Sequence, residues 1–209
     1  MTLSSTNMLL LIVWSLILGD SFEGEVVYVN TYEVYDKKLS ADSLSGTLGD
    51  TTILLIKKSN YKLSTNGRKR VTAVYEGEKN VWYVYQNRLD TILAVGGSAR
   101  TMKSVVFESP RETNEEVLGL PCRSVAMNWN QGRNIYYFNE KLSIDPELFA
   151  GHNIDEWNQY CRISQALPLM IRYEKKGYTR IQRAIKITPR RVLDAELGIP
   201  KDRPVIWIR

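Results

Sequence analysis

The stretch LPLMIRYEKKGYTRIQRAIKI, Leu167 to Ile187, decides the fold. Two runs rich in Leu, Ile and Tyr flank Lys175-Lys176-Gly177. They read as strands Leu167–Glu174 and Tyr178–Ile187, joined by a tight turn. The same grammar extends upstream. Phe22 to Asp36 is one long strand, with Phe22, Val26, Tyr28, Tyr32 and Val34 on one face. Thr51–Lys57 follows, after a small polar stretch Leu39–Gly49 that reads as a loop or one weak helical turn. Tyr61–Thr65 meets Gly67–Glu76 across Asn66-Gly67, the strongest short hairpin signal. Val81–Gln86, Arg88–Val95, Met102–Glu108, Arg111–Leu118, Cys122–Trp129 and Arg133–Phe138 complete a set of about ten antiparallel strands in local hairpins. Asp145–Phe149 has an Asp cap and Pro at the first helical position, and Pro189–Leu197 ends at Gly198. No βαβ alternation is present, so an open α/β sheet is disfavoured.

Several strands are apolar on both faces. Val81, Tyr83 and Tyr85 alternate with Trp82 and Val84; Ile135 and Tyr137 alternate with Tyr136 and Phe138. A sheet with one wet face would carry polar residues at every second position. The second face must therefore be covered by other elements or line an apolar cavity.

The 209 residues suffice for one domain with a real core, and 44% hydrophobic with 24% charged residues is ordinary for a globular chain. Met8–Gly19, MLLLIVWSLILG, is different: it is apolar, uncharged and too short to span a bilayer comfortably. It reads as the core of a signal peptide covering residues 1–21, cut before Phe22, with Gly19 and Ser21 as the small residues at the cut. The expectation is a periplasmic or otherwise exported chain, with 22–209 as a single domain. In such a compartment Cys122 and Cys161 suggest a disulfide, worth about 4 kcal/mol at best in the chain-entropy model. The alternative is two buried free thiols. No metal site is expected from two Cys and the single His152.

Charge is uneven. The formal net is +5, and Arg162–Arg209 holds 12 Lys or Arg against four acids. This basic quarter suits an anionic membrane surface or an acidic partner, or is a solvated sheet face; nucleic acid is a poor fit for an exported protein. No HExxH, GxSxG, phosphate-binding Gly loop or GxGxxG occurs. His152, between Gly151 and Asn153, reads as a polar surface residue. The pairs Glu23/Glu25 and Glu115/Glu116 read as solvated charges. Neither an enzyme nor a cofactor is indicated.

The segment ALPLMIRYEKKGYTRIQRAIKITPRRVLDAELGIPKDRPV resembles the LolA/LolB-like lipoprotein-carrier superfamily. The residues that carry the resemblance are Leu167, Pro168, Gly177, Ile187, Leu193, Asp194, Leu197, Ile199 and Pro200. Phe22-Glu23-Gly24, Leu118–Cys122, Asp145–Phe149 and Trp157-Asn158 are similar to a related bacterial exported family of unknown function. The resemblance implies a mostly β fold: a curved antiparallel sheet, an open half-barrel, with short helices over its concave face. It implies a lipid or lipoprotein acyl chain as partner. With strand parity it makes Trp82, Val84, Tyr136, Phe138 and Met170 the candidate ligand-lining residues. Arg183, Arg190 and Arg191 are the candidate contacts to phosphate headgroups. Two functions stay open: an exported binder of a lipid, acyl chain or other hydrophobic ligand, and a non-enzymatic envelope interaction module with a filled core.

Overall fold

The computed structural model describes residues 21–208. The apolar segment read as an export signal lies almost wholly outside them. The strands are β1 (Gly24–Val34), β2 (Thr51–Lys57), β3 (Asn60–Thr65), β4 (Val71–Glu76), β5 (Val81–Gln86), β6 (Ile92–Gly96), β7 (Val106–Phe107), β8 (Arg111–Val117), β9 (Leu120–Trp129), β10 (Gly132–Ser143), β11 (Ala166–Lys175), β12 (Tyr178–Pro189) and β13 (Val205–Trp207). The helices are α1 (Ala41–Leu48), α2 (Trp157–Ser164) and α3 (Asp194–Leu197), with 3-10 turns at Pro146–Phe149 and Ile154–Glu156.

All strands join one open sheet in the order β13-β6-β5-β4-β3-β2-β1-β12-β11-β10-β9-β7, with β8 paired to β9. The pairing is antiparallel except where β13 runs parallel to β6. The expected mostly β fold with one large curved, unclosed sheet and few short helices is therefore the observed one. The hairpin of β11 and β12 stands near the middle of the sheet, since β12 also pairs with β1. It joins the N-terminal meander to the C-terminal one.

Two bulges help bend this central region. Between β1 and β12 the register shifts at Val27/Tyr28, leaving Ile185 as an extra, exposed residue. Between β10 and β11 it shifts at Tyr137/Phe138. An extra residue on one strand kinks it and reverses the facing of everything beyond.

Both faces of the sheet are occupied. On the concave side Tyr28, Phe138, Phe149 and Tyr160 belong to the main buried cluster under α2 and the turn at Pro146–Phe149. On the convex side of β4–β6 a second cluster of Val74, Val81, Tyr83, Tyr85, Ile92 and Ala94 is packed by Ile199. The chain after β12 lies there because Glu23 and Glu25 hold it. Glu23 Oε1 accepts from the Val192 N–H at 2.6 Å, and Arg190 bridges Glu25 at 3.4 Å and Glu196 at 2.7 Å. These carboxylates thus tie segments together, as Glu115 does to Arg183, where the sequence suggested free solvated charges.

Four further differences have local causes. Asn66-Gly67 does not form a two-residue turn: the chain takes residues 66–70 to reach β4, and Asn66 is spent on β2, accepting from Thr51 N at 3.0 Å and donating to Asp50 at 2.6 Å. Leu39–Gly49 contains the full helix α1, because the Ser40 hydroxyl caps Ser43 N. Helix α2 starts after Asp155 and Glu156, both in the left-handed region, so it has no side-chain cap for a sequence reading to find. Met102–Glu108 keeps only the two residues of β7 as strand.

The disulfide is not formed. Cys122 and Cys161 are free and buried. Cys161 lies on α2, over the concave face. On β9, Val125 pairs with the cavity-side Tyr136, so Cys122, three residues away, falls on the opposite face, where Arg183, Glu115 and Glu116 act on it. The sheet separates the two thiols. Burial pushes the Cys161 thiol well above its ordinary pKa, which makes it inert. Reductant is therefore expected to leave the urea midpoint of the purified protein unchanged. A drop in midpoint on reduction would show that a bridge exists.

Candidate ligand cavity

The concave face carries a cavity of about 440 Å³. Its wall on one side comes from alternate residues of β2 to β5: Leu54, Ile56, Tyr61, Leu63, Ala73 and Trp82. Tyr28 of β1 lies at the centre, its hydroxyl donating to the Pro168 carbonyl at 2.9 Å. The other side comes from β9 to β12, with Trp129, Tyr136, Ile171, Tyr173 and Arg180. Met102, Ile154 and Trp157 cover it from the connecting segments. Thr101 and Asp155 close that cover on each other: Thr101 Oγ1 donates to Asp155 Oδ1 at 2.9 Å and accepts from Asp155 N at 3.0 Å.

Of the five residues read as lining, the structure brings Trp82 and Tyr136 to the cavity. Val84 shares the face of Trp82 but lies outside the lining, half-buried between Ala73 and Leu93 on the neighbouring strands. Phe138 is on the concave side but buried under α2, edge-on to Tyr160 at 6.5 Å. Met170 is on the other face. The bulge before Phe138 lets both Pro168 and Ile171 line the cavity and turns Met170 away, where its sulfur receives Arg183 Nη1 at 3.3 Å. The three arginines also diverge. Arg183 is held by Glu115 and by the Glu116 carbonyl, and Arg190 by Glu25 and Glu196. Arg191 is exposed. The Arg190 guanidinium, with the Leu193 N–H, holds the Glu196 carboxyl down at about 2.

Sequence reading missed the aromatic group beside the cavity. His152 is fully buried, not on the surface. Its ring stacks on Tyr75 at 3.9 Å and 12°, and its Nε2 shares a 2.7 Å hydrogen bond with the Tyr61 hydroxyl. Phe149 packs against Tyr61, Tyr75 and Trp157. Asn158 N donates to the His152 carbonyl, which fixes the loop to the start of α2. Nδ1 has no partner among the described residues. Burial lowers the imidazole pKa to about 3, so the ring is neutral at physiological pH. It is packing material with one polar tie. The only sequence cue was Gly151, where a Cβ would meet the Asn80 side chain at 3.0 Å.

No family model matches the chain, and no curated protein is similar to it. Several solved structures are similar to it. PNGF-II is 11% identical with a TM-score of 0.52, over 90% of this chain and 32% of that one. The likeness is one of fold. An uncharacterized conserved protein from Thermus thermophilus is 8% identical with a TM-score of 0.46, over 98% of this chain and 100% of that one. LprF from Mycobacterium bovis is 9% identical with a TM-score of 0.33, over 87% and 90%. This chain thus spans about a third of the PNGF-II chain.

Proposed function

We propose that the protein is a non-enzymatic binder that shelters a lipid, an acyl chain or another hydrophobic ligand in the concave cavity. The observation that carries this reading is an apolar-walled space of about 440 Å³ within the ordinary range of ligand pockets, which runs from about 300 to 1,000 Å³. An acyl chain moved from water into such a space gains about 0.8 kcal/mol per CH₂, so binding needs no catalytic or cofactor motif. The residues that would touch the chain are Leu54, Ile56, Leu63, Ala73 and Trp82. A relationship to the LolA/LolB-like carriers is part of this proposal, as is export directed by residues 1–21.

Native mass spectrometry on protein purified without detergent tests the reading, with solvent extraction of the same sample. The expected result is a stoichiometric adduct whose mass reappears in the extract as an amphiphilic or apolar molecule. A bare protein mass, unchanged after incubation with single-chain amphiphiles, would leave the interaction module as the better account.

A further inference from the structure

Two of the cavity's lining side chains are cations, and both come from the hairpin of β11 and β12. Lys175 and Arg180 lie on one face of it: Tyr173 pairs with Arg180, and Lys175 pairs with Tyr178. They are diagonal cross-strand neighbours, a relation that puts backbones about 7–8 Å apart, within reach of long side chains closing on one group. Each head lies against an aromatic ring. Lys175 Nζ is 5.9 Å from the centre of the Trp129 ring, and Arg180 Cζ is 4.1 Å from that of Tyr173.

Neither cation has an ion-pair partner among the described residues. Their neighbours differ: Arg172 is paired with Glu33, Arg183 with Glu115 and Arg190 with Glu196. The one carboxylate in the lining, Asp155, is bonded to Thr101. The lining therefore carries two positive charges and one negative, a net of +1. Its polar wall also holds Asn134, which is 2% exposed, and Trp129; the Oδ1 of the one and the buried Nε1 donor of the other have no partner among the described residues. Across the cavity, Leu54, Ile56, Leu63, Ala73 and Trp82 carry no charge.

We propose that the cavity takes a single-chain anionic amphiphile, its carboxylate or phosphate head seated between Lys175 and Arg180 and its chain laid along β2 to β5. This rests on the reading of the cavity as a hydrophobic-ligand site and names the ligand class. Size sets the single chain: at roughly the 30 Å³ of a condensed-phase water, the space holds on the order of 15 non-hydrogen atoms. That accommodates one medium-length chain and a small head, not a diacyl or triacyl lipid. Two cations on one side account for an acid rather than an alcohol or an amine.

The test titrates dodecanoate, dodecyl phosphate, dodecanol and dodecyltrimethylammonium below their micelle concentrations, reading the fluorescence of the lining tryptophans. At least one anion should bind ten or more times more tightly than dodecanol, and the ammonium should bind more weakly than dodecanol. The double variant Lys175→Gln/Arg180→Gln should bring the anion to the level of dodecanol and leave dodecanol itself unchanged. Dodecanol binding as tightly as both anions would overturn the proposal while the hydrophobic cavity stood. So would a double variant that weakened anion and alcohol equally. Binding of none of the four would remove the cavity reading with it.

Discussion

Between pH 6.5 and pH 5 the protein is expected to lose about 2 kcal/mol of stability, most of it through His152. In the unfolded chain this imidazole takes up a proton near pH 6.5. In the folded protein, burial holds it neutral down to about pH 3. Over the interval the unfolded state binds from about half a proton to about one proton more, so stability falls with falling pH by about 0.7 kcal/mol per unit at pH 6.5, steepening to about 1.4 near pH 5. The stabilising effect of the neutral ring is complete above pH 6.5 and lost progressively below it. The carboxylates act in the same direction but lower: Glu196, Asp50, Asp194 and Glu108 all have lowered pKa values, so their contributions fade only below the ordinary carboxylate range. The window from pH 6.5 to 5 isolates the histidine.

Burial keeps the ring neutral, and the site gives a second ring proton no place to bond. Nε2 is already engaged with the Tyr61 hydroxyl, and a second N–H at Nδ1 would have no acceptor among the described residues. Urea unfolding of the wild type and of His152→Gln at pH 7, 6 and 5 measures the effect. The variant should be less stable at pH 7, because the stack on Tyr75 is lost, but its stability should be nearly flat over the window. Equal slopes in the two proteins would mean that the folded histidine titrates normally and is not sealed in.

His152 also shows where sequence reading stopped. Most strands and the β11–β12 hairpin were legible, because alternation, Gly turns and aromatic content report local pairing. The need to cover both faces was legible too, from Val81–Gln86 and Ile135–Phe138. The convex cover at Ile199 and the concave cavity at Trp82 both meet that requirement. Facing was lost at bulges, which leave no reliable mark in the sequence. Met170 went to the wrong side by one residue at Phe138/Pro168. The polar half of the cavity was missed for another reason. The sequence alone places Lys175 in a turn and makes Arg180 one of many basic residues. Only the pairing of the hairpin sets them diagonally on the concave face, and only the ion-pair pattern shows that Arg183 and Arg190 are occupied. A tertiary partner, not composition, decides which arginine is free to meet a ligand.

Filling the cavity should separate binding from folding most sharply. Ala73 on β4 pairs with Leu63 and Val84, is nearly buried, and has the smallest side chain in the cavity wall. Ala73→Phe extends a ring into the space that the chain of the ligand would occupy. Affinity for dodecanol and for the anionic amphiphiles should fall together, by at least tenfold, because the loss is of apolar volume and not of charge. Stability should change little, since the added ring replaces solvent-accessible space; overpacking would instead cost about 1–3 kcal/mol. Leu63→Phe on β3 is the second probe of the same wall, chosen so that one poorly folded variant does not decide the matter. Thermal unfolding establishes that each variant is folded before titration. If both fold and both bind all four amphiphiles as the wild type does, the ligand lies elsewhere on the sheet. If both fold and lose dodecanol and the anions alike, while Lys175→Gln/Arg180→Gln loses only the anions, the cavity has two separable parts. One is an apolar trough on β2 to β5, and the other is an anion seat on β11 and β12.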